Sequence, residues 1–228
     1  MPTYRGISGL YNTKNTSEGI PIEDALSGIM MQSRPDITWK YLWQIAASCL
    51  NAQPNQAHLI LSKLQKLKPN TWILTQNIDG LHAAADNKNL IEIHGNALKL
   101  FCIGCNYRPD YSFLFNIEKD KLKLPPICPK CGNIIRPEVV LFGEQLPEKE
   151  IELLYSLHQN NIDLILSIGT SALFPYISEP VIKAYNRGKI TIEINPERTY
   201  ISDHFTYTIR TGAEEALIRI WDSINELN

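Results

Sequence analysis

Two pairs of cysteines constrain the fold of this chain more than any other feature of its sequence. Cys102-Ile-Gly-Cys105 and Cys128-Pro-Lys-Cys131 are Cys-x-x-Cys knuckles with 22 residues between them. This spacing is typical of a zinc ribbon, in which four thiolates surround one zinc ion. A redox-active pair is the alternative, but the second knuckle favours the metal. Because four sulfur ligands leave no position for water, the zinc would be structural and any catalysis would lie elsewhere.

Length and charge exclude several classes of protein. The chain has 228 residues and a formal net charge of −2, so it can bury a large core and has no basic excess. We therefore expect no nucleic-acid partner. No apolar run approaches the roughly 20 residues of a membrane span, and the first residues lack a signal-peptide profile. We expect no membrane partner and a cytoplasmic location, and nothing in the sequence indicates an oligomeric state.

Helical patterns and short apolar runs alternate along the chain. Helices are predicted over residues 21–50, 54–67, 147–158 and 213–227, and strands over 72–74, 91–93, 163–168, 190–194 and 206–209. Such alternation implies parallel βαβ units. The predicted fold class is α/β: a Rossmann-like parallel sheet with an inserted small domain that contains helices and the four-cysteine zinc ribbon. The predicted Rossmann-like domain covers residues 1–20, 52–98 and 137–228, and the small domain covers 21–51 and 99–136.

Polar residues follow the first predicted strand, where an open α/β sheet presents side chains to a ligand. Gln76, Asn77 and Asp79 place two amides and a carboxylate within four positions, which indicates a site for a polar ligand. A turn that caps a helix, with Asp79-Gly80 at its centre, is the alternative. His94 follows the next predicted strand, so its ring is either a functional group at a strand end or a packed core histidine.

Two further polar groups follow later strands. Gly169-Thr170-Ser171 comes after the strand at 163–168, and Asn195-Pro196-Glu197 comes after the strand at 190–194. Glycine and hydroxyl groups at the carboxyl end of a strand can bind phosphate or ribose. These positions therefore indicate a nucleotide site in a doubly wound sheet.

Several motifs together resemble those of the sirtuins, a family of NAD-dependent protein-lysine deacylases. They occur in the family's order and extend over nearly the whole chain. The matching segments are Pro2-Thr3-Tyr4-Arg5-Gly6, Thr75-Gln-Asn-Ile-Asp-Gly-Leu-His82, His94-Gly95, the two cysteine knuckles, Arg136-Pro137 with Phe142-Gly143-Glu144, Gly169-Thr170-Ser171, and Asn195.

The resemblance implies NAD as co-substrate, one structural zinc ion and acylated lysine side chains of proteins as partners. It implies three sets of binding residues. Nicotinamide and its ribose would be bound by Gln76, Asn77, Ile78 and Asp79. The adenosine half would be held by Gly169, Thr170, Ser171, Asn195, Pro196 and Glu197, with Ala213 near the adenine and Arg5 near the phosphates. The substrate peptide would bind as an added strand to Val140, Phe142, Gly143 and Glu144.

The resemblance also implies a mechanism. The acyl oxygen would attack the ribose carbon that carries nicotinamide, and His94 would then act as general base on a ribose hydroxyl. The products would be free lysine, nicotinamide and O-acyl-ADP-ribose. A histidine suits this step because its usual pKa of about 6.5 leaves it largely neutral near pH 7. The alternatives are an NAD hydrolase or ADP-ribosyltransferase of the same fold, or a non-catalytic module that binds NAD or acyl-lysine.

The chain departs from the family pattern at its start. Sirtuins carry a Gly-Ala-Gly-x-Ser loop, preceded by the first strand of the sheet, directly before the Pro-Thr-Tyr-Arg segment, and this sequence begins at Met1 with neither. Loss of that internal strand would leave unpaired N–H and C=O groups, and the pyrophosphate would lose a helix N-terminus. We therefore expect the natural product to start upstream of Met1.

A second departure concerns the acyl group. Sirtuins that prefer succinyl or malonyl lysine carry a Tyr-x-x-Arg pair, and its two places fall on Lys40 and Trp43 here, or on Tyr41 and Gln44 in the next register. Neither register supplies an arginine. Since a buried carboxylate without a bidentate cation is costly, we expect an uncharged acyl group such as acetyl.

Overall fold

The computed structural model describes residues 16–115, 123–159 and 162–226. Contacts group the chain into two compact units. Unit 1 comprises the described parts of Met1–Gln53, Ile73–Leu81 and Leu90–Glu150, and unit 2 comprises the described parts of Pro54–Trp72, His82–Asn89 and Ile151–Asn228. The domain boundaries predicted from the sequence stay a prediction.

Three helices occupy the region 21–50, which was predicted to be helical. They are α1 (Ile22–Ala25), α2 (Gly28–Ser33) and α3 (Pro35–Leu50). The side-chain oxygen of Ser27 accepts a hydrogen bond from the Met30 N–H and so caps α2. Arg34 leaves the helical conformation because it precedes Pro35, whose ring disfavours that conformation in the residue before it. Proline is itself well suited to the first turn of α3.

Four strands belong to unit 1. β1 (Ile73–Thr75) and β2 (Leu90–Glu92) pair in parallel, with Thr75 opposite Glu92. β3 (Gly95–Cys102) and β4 (Ile135–Val139) pair antiparallel, with an irregularity between Asn96 and Leu100. Two short helices, α5 (Leu81–Ala84) and α6 (Ser112–Phe115), occur near these strands in the sequence.

Helix α3 supplies the centre of the core of unit 1. Trp39 and Leu42 are buried in one apolar cluster with Leu100 and Ile135 of the β3–β4 pair. The indole N–H of Trp39 donates to the main-chain oxygen of Ile135 at 2.9 Å, which fixes the helix against β4. Cys49 is buried near the end of α3, and burial raises the pKa of its thiol to about 11.

Unit 2 contains a three-stranded parallel sheet. The strands β5 (Leu164–Ile168), β6 (Ile190–Ile194) and β7 (Tyr207–Ile209) lie in the order β5-β6-β7. Unit 2 also contains the helices α4 (Gln56–Leu67), α8 (Pro175–Asn186) and α9 (Ala213–Glu226), and most of α7 (Glu148–Gln159). Ile60 of α4 and Leu217 of α9 pack on Ile194 of β6. Helix α4 begins with a capping box formed by Asn55 and His58.

The parallel strands and helices confirm the predicted α/β class. The parallel strands form two sheets, one of two strands and one of three. Among the described helices, none combines the length and apolar character that a membrane span requires.

Candidate active site and metal centre

His94 lies in the short connection between β2 and β3 of unit 1. Its Nδ1 atom is 3.1 Å from the main-chain oxygen of Gln76, the residue that follows β1. The connection is held against β1, since the Ile93 N–H donates to the oxygen of Thr75. The next residue, Gly95, has φ +78°, and a Cβ atom there would lie 1.8 Å from the main-chain oxygen of Glu138. Only glycine fits beside the histidine.

The surroundings of His94 set its protonation. Burial lowers the pKa of His94 below its usual range, and the hydrogen bond to the Gln76 oxygen opposes that shift only in part. Since a carbonyl oxygen only accepts hydrogen bonds, Nδ1 must be the donor. The neutral ring then carries its lone pair on Nε2, which makes Nε2 the proton acceptor.

The polar segment after β1 forms the helix-capping turn, and its predicted role in binding a polar ligand stays a prediction. Asp79 caps the start of α5 through a hydrogen bond from the Leu81 N–H to its Oδ1 at 2.9 Å, which is the turn predicted as the alternative. The Asn77 N–H donates to the side-chain oxygen of Thr75, and the main-chain oxygen of Ile78 accepts from Ala97. These bonds fix the backbone of the segment beside His94.

The predicted peptide-binding segment also lies next to His94. The Val140 N–H donates to the main-chain oxygen of His94 at 2.9 Å. Phe142 pairs with the start of α2, because its N–H donates to Leu26 and its oxygen accepts from Gly28, each at 3.0 Å. The segment is thus fixed to elements on both sides.

An ion pair closes the turn at the end of this segment. Both guanidinium NH groups of the buried Arg136 donate to the carboxylate of Glu144, at 2.7 and 2.9 Å, and one also donates to the oxygen of Val139. Glu144 accepts a further bond from the Leu141 N–H. Burial would raise the pKa of Glu144, but the bonds from Arg136 and Leu141 outweigh it and the net shift is downward. Gly143, at the tip of the turn, has φ +79°.

The four knuckle cysteines converge on one point of unit 1. Cys102, Cys105, Cys128 and Cys131 place their sulfur atoms within 4.8 Å of one another. The Cys102–Cys131 and Cys105–Cys128 sulfur distances are 3.3 and 3.8 Å. Tetrahedral zinc with Zn–S bonds of about 2.3 Å requires sulfur atoms roughly 3.8 Å apart. The four thiols therefore fit one structural zinc ion, as predicted.

The predicted adenosine-binding residues lie in unit 2, at the carboxyl ends of β5 and β6. Gly169 follows β5 with φ +60°, and its N–H donates to the oxygen of Ile194. The side-chain amide of Asn195 donates to the oxygen of Thr170 at 3.0 Å, which joins the loops after the two strands. Ser171 is exposed beside Thr170. The carboxyl ends of parallel strands thus bring both predicted groups together.

Ala213 lines an open cavity of about 660 Å³ at the start of α9. Asn55, Gly212, Glu214, Glu215, Ile218 and Arg219 complete its lining. Pro196 and Glu197 are exposed within the loop after β6. Arg5 lies outside the described residues, so its predicted role near the phosphates stays a prediction.

Sequence reasoning missed two residues behind the loop that is predicted to hold the adenosine half. Glu193 is a buried carboxylate in β6, and Arg210 follows β7 and pairs with it at 2.6 Å. A glutamate within the apolar run 190–194 was the available signal, because a buried carboxylate needs a cation or several donors. Its partner could not be located from the sequence, since pairing depends on how β7 lies beside β6.

Comparisons with known proteins agree with the geometry. The family model described as "Sir2 family" matches residues 1–174. The chain is 48% identical over 202 residues to "NAD-dependent protein deacylase 2" of Pseudomonas syringae pv. tomato. This match covers 87% of this chain and 79% of the relative. It is 35% identical over 235 residues to the "NAD-dependent protein deacylase" of Pyrococcus furiosus, covering 100% of this chain and 88% of the relative.

Solved structures show the same likeness. A structure described as a Sir2 protein with a deacetylated p53 peptide and 3′-O-acetyl ADP-ribose superposes with a TM-score of 0.85 at 26% identity, covering 97% of this chain and 86% of that one. A structure described as Sir2 with a p53 peptide and NAD+ has a TM-score of 0.79 at 27% identity, covering 88% and 82%. Because the likeness extends over most of the chain in both sequence and fold, the chain belongs to the Sir2 family.

Proposed function

We propose that this protein removes acyl groups from lysine side chains of proteins in an NAD-dependent reaction. The products are free lysine, nicotinamide and O-acyl-ADP-ribose. One observation carries the proposal: His94 makes two contacts at once. Its ring Nδ1 donates to the main-chain oxygen of Gln76, and its own main-chain oxygen accepts from the Val140 N–H. A base and a peptide-binding segment are therefore adjacent in unit 1. Relatives named NAD-dependent protein deacylases support the same reaction.

His94 acts as the general base in this proposal. Its Nε2 accepts the proton of a ribose hydroxyl, and Nδ1 keeps its proton because the Gln76 oxygen holds it. The imidazolium that forms is stabilised by the same hydrogen bond. A lowered pKa keeps the ring neutral, and so ready to accept a proton, at neutral pH.

The binding residues follow the assignment made from the resemblance. Gln76, Asn77, Ile78 and Asp79 bind nicotinamide and its ribose. The loops at Gly169–Ser171 and Asn195–Glu197 bind the adenosine half, and the cavity beside Ala213 takes the adenine. The zinc ion stabilises the ribbon and takes no part in the reaction, since its four thiolates leave no open position.

The substrate peptide binds as an extended strand along residues 140–144. Main-chain pairing gives affinity with little dependence on the peptide sequence. The ion pair between Arg136 and Glu144 supports this binding, because it fixes the turn that ends the segment.

An uncharged acyl group is the preferred substrate. Lys40, which occupies one place of the acid-recognising pair, is already neutralised by Glu18 at 2.5 Å. The hydroxyl of Tyr41 donates to the same carboxylate. Neither residue offers the bidentate cation that a succinyl or malonyl carboxylate needs.

Mass spectrometry of the reaction products tests the proposal. The protein is incubated with NAD and with acetyl-, succinyl- or fatty-acyl-lysine peptides, and O-acyl-ADP-ribose is measured. We expect this product with the uncharged peptides and little with succinyl-lysine. A succinyl preference would refute the acyl assignment. Nicotinamide release that does not depend on peptide would indicate an NAD hydrolase or ADP-ribosyltransferase instead.

A cytoplasmic location is part of the proposal. Free thiols that bind zinc persist in a reducing compartment, whereas an oxidising one favours disulfides. Cell fractionation with an antibody against the chain checks this, and recovery outside the cytoplasmic fraction would contradict it.

A further inference from the structure

A buried carboxylate lies directly behind the loop that we assign to the adenosine half. Glu193, in β6, is 1% exposed. Its oxygens accept hydrogen bonds from the hydroxyls of Thr199 and Ser202, each at 2.7 Å. Its carboxylate also forms an ion pair with Arg210 at 2.6 Å. Burial would raise the pKa of Glu193, but these donors outweigh it and lower the pKa. Glu193 is therefore ionised at neutral pH.

Arg210 connects this carboxylate to the backbone of the loop. Its NH1 group donates to the main-chain oxygens of Asn195 and Glu197, at 3.2 and 3.0 Å. Its NH2 group contacts Glu193 and donates to the hydroxyl of Ser202 at 3.3 Å. The planar guanidinium thus holds both ends of the segment Asn195–Glu197 at once, which a single-point cation cannot do.

The loop held by Arg210 in turn shapes the loop after β5. The amide of Asn195 donates to the oxygen of Thr170, and the hydroxyl of Tyr200 donates to the oxygen of Ala172 at 2.8 Å. Ala172 has φ +53°, a conformation that costs a non-glycine residue energy and persists only where neighbours impose it. The shape of the residue 169–172 loop therefore depends on the loop after β6.

We infer that Glu193 and Arg210 are a positioning pair for NAD binding, which fixes the backbone of the loop after β6 and, through it, the loop after β5. The inference rests on the proposed function. Glu193 is buried but Arg210 is exposed, so the ion pair adds little net stability by charge alone and its value here lies in the geometry that its hydrogen bonds impose. Loss of that geometry should weaken NAD binding and leave the peptide segment in unit 1 unaffected.

Steady-state kinetics of full-length variants test the pair. Arg210→Met, Arg210→Lys and Glu193→Gln are compared with the wild type and with Arg198→Met, which removes an exposed ion pair to Asp203 nearby. We expect the NAD KM to rise about tenfold in Arg210→Met and about threefold in Arg210→Lys, because lysine keeps the charge but loses the fork. Glu193→Gln should raise the NAD KM as well, whereas Arg198→Met should match the wild type.

The KM for the acyl peptide separates positioning from general damage. It should stay within twofold of the wild type in every variant. An unchanged NAD KM in Arg210→Met, or parallel changes in both KM values together with a large fall in melting temperature, would overturn the inference. If Arg210→Met does not fold, Arg210→Lys decides: a wild-type NAD KM in that variant overturns the inference too.

Direct binding of ADP-ribose distinguishes this inference from the proposed function. Calorimetry measures the ADP-ribose Kd of the same proteins without any peptide or reaction. If the wild type binds ADP-ribose but makes no O-acyl-ADP-ribose, the proposed function fails. A rise of about tenfold in the Kd of Arg210→Met would then still support the positioning pair, and an unchanged Kd would overturn it.

Discussion

Nδ1 of His94 lies 3.1 Å from the main-chain oxygen of Gln76. This contact fixes the tautomer of the ring, because the oxygen can only accept. It also orients the ring relative to β1, since Gln76 directly follows that strand. The position of the ring therefore depends on main-chain geometry.

His94→Ala should abolish most of the activity. Loss of a general base lowers kcat by about 10²–10⁴-fold, and His94→Tyr should do the same because the phenol is a poor base at neutral pH. The deacylation rate is measured with saturating NAD and acetyl peptide, and ADP-ribose binding serves as the control for folding. Deacylation at the wild-type rate in either variant would overturn the catalytic assignment.

The deacylation activity should fall at acidic pH. The neutral ring is the active form, so kcat/KM declines as pH falls through the pKa of His94, which burial places below its usual value of about 6.5. The unfolded chain binds this proton at higher pH than the folded chain, so stability also falls as pH drops below about 6.5. A pH–rate profile between about pH 5 and 8 checks this, and an acid limb centred above about 6.5 would contradict it.

Glu144→Gln should weaken both the fold and peptide binding. The change removes the charge partner of the buried Arg136, so we expect a loss of about 2 kcal/mol in the free energy of unfolding at pH 7 and a higher KM for the acyl peptide. The pKa of Glu144 is lowered in the folded state, so its contribution is present at neutral pH and is lost as pH falls below about 4.

The matched control for this change is Glu179→Gln. Glu179 forms an exposed pair with Lys183 on α8, and its loss should change stability by less than about 0.5 kcal/mol. Urea denaturation at several pH values measures both variants. Equal effects of the two changes would show that burial of the Arg136 pair does not matter.

Gly95→Ala should destabilise the site far more than Gly188→Ala. Both glycines have positive φ, but a Cβ at position 95 would collide with the main-chain oxygen of Glu138, whereas nothing lies within 4 Å at position 188. The strain of a left-handed alanine costs about 1–2 kcal/mol in each variant. The collision adds to this, so we expect a total of at least about 3 kcal/mol for Gly95→Ala. Thermal unfolding of both variants provides the comparison, and equal losses would contradict the collision.

Removal of zinc should unfold the ribbon. We expect one zinc ion per chain by elemental analysis, and at least about 3 kcal/mol lower stability after chelation. Cys128→Ser should lose the metal, whereas Cys49→Ala should retain it, although both cysteines are buried. A zinc content that is the same in both variants would refute the four-cysteine site.

Sequence patterns predicted the elements whose causes are local. The helix predicted over 54–67 is observed as α4 (Gln56–Leu67), which Asn55 caps in a box with His58. The knuckle spacing alone predicted that four cysteines would meet. In each case neighbouring residues determine the structure, so a short stretch of sequence is sufficient.

Features that depend on long-range packing could not be predicted. The helical pattern over 21–50 did not reveal the break at Ser27. The pairing of Glu193 with Arg210 depends on the parallel alignment of β6 and β7. Propensity and periodicity do not specify such alignments.

The bond from the Trp39 indole to the Ile135 oxygen gives the protein an intrinsic optical probe. Trp39 is fully buried and is bonded to the strand that follows the second cysteine knuckle. Its emission should therefore be blue-shifted while the ribbon is intact and should move to longer wavelength when the strand separates from α3. In a variant that keeps Trp39 and replaces the other three tryptophans, metal loading could then be followed in real time, without a dye or label.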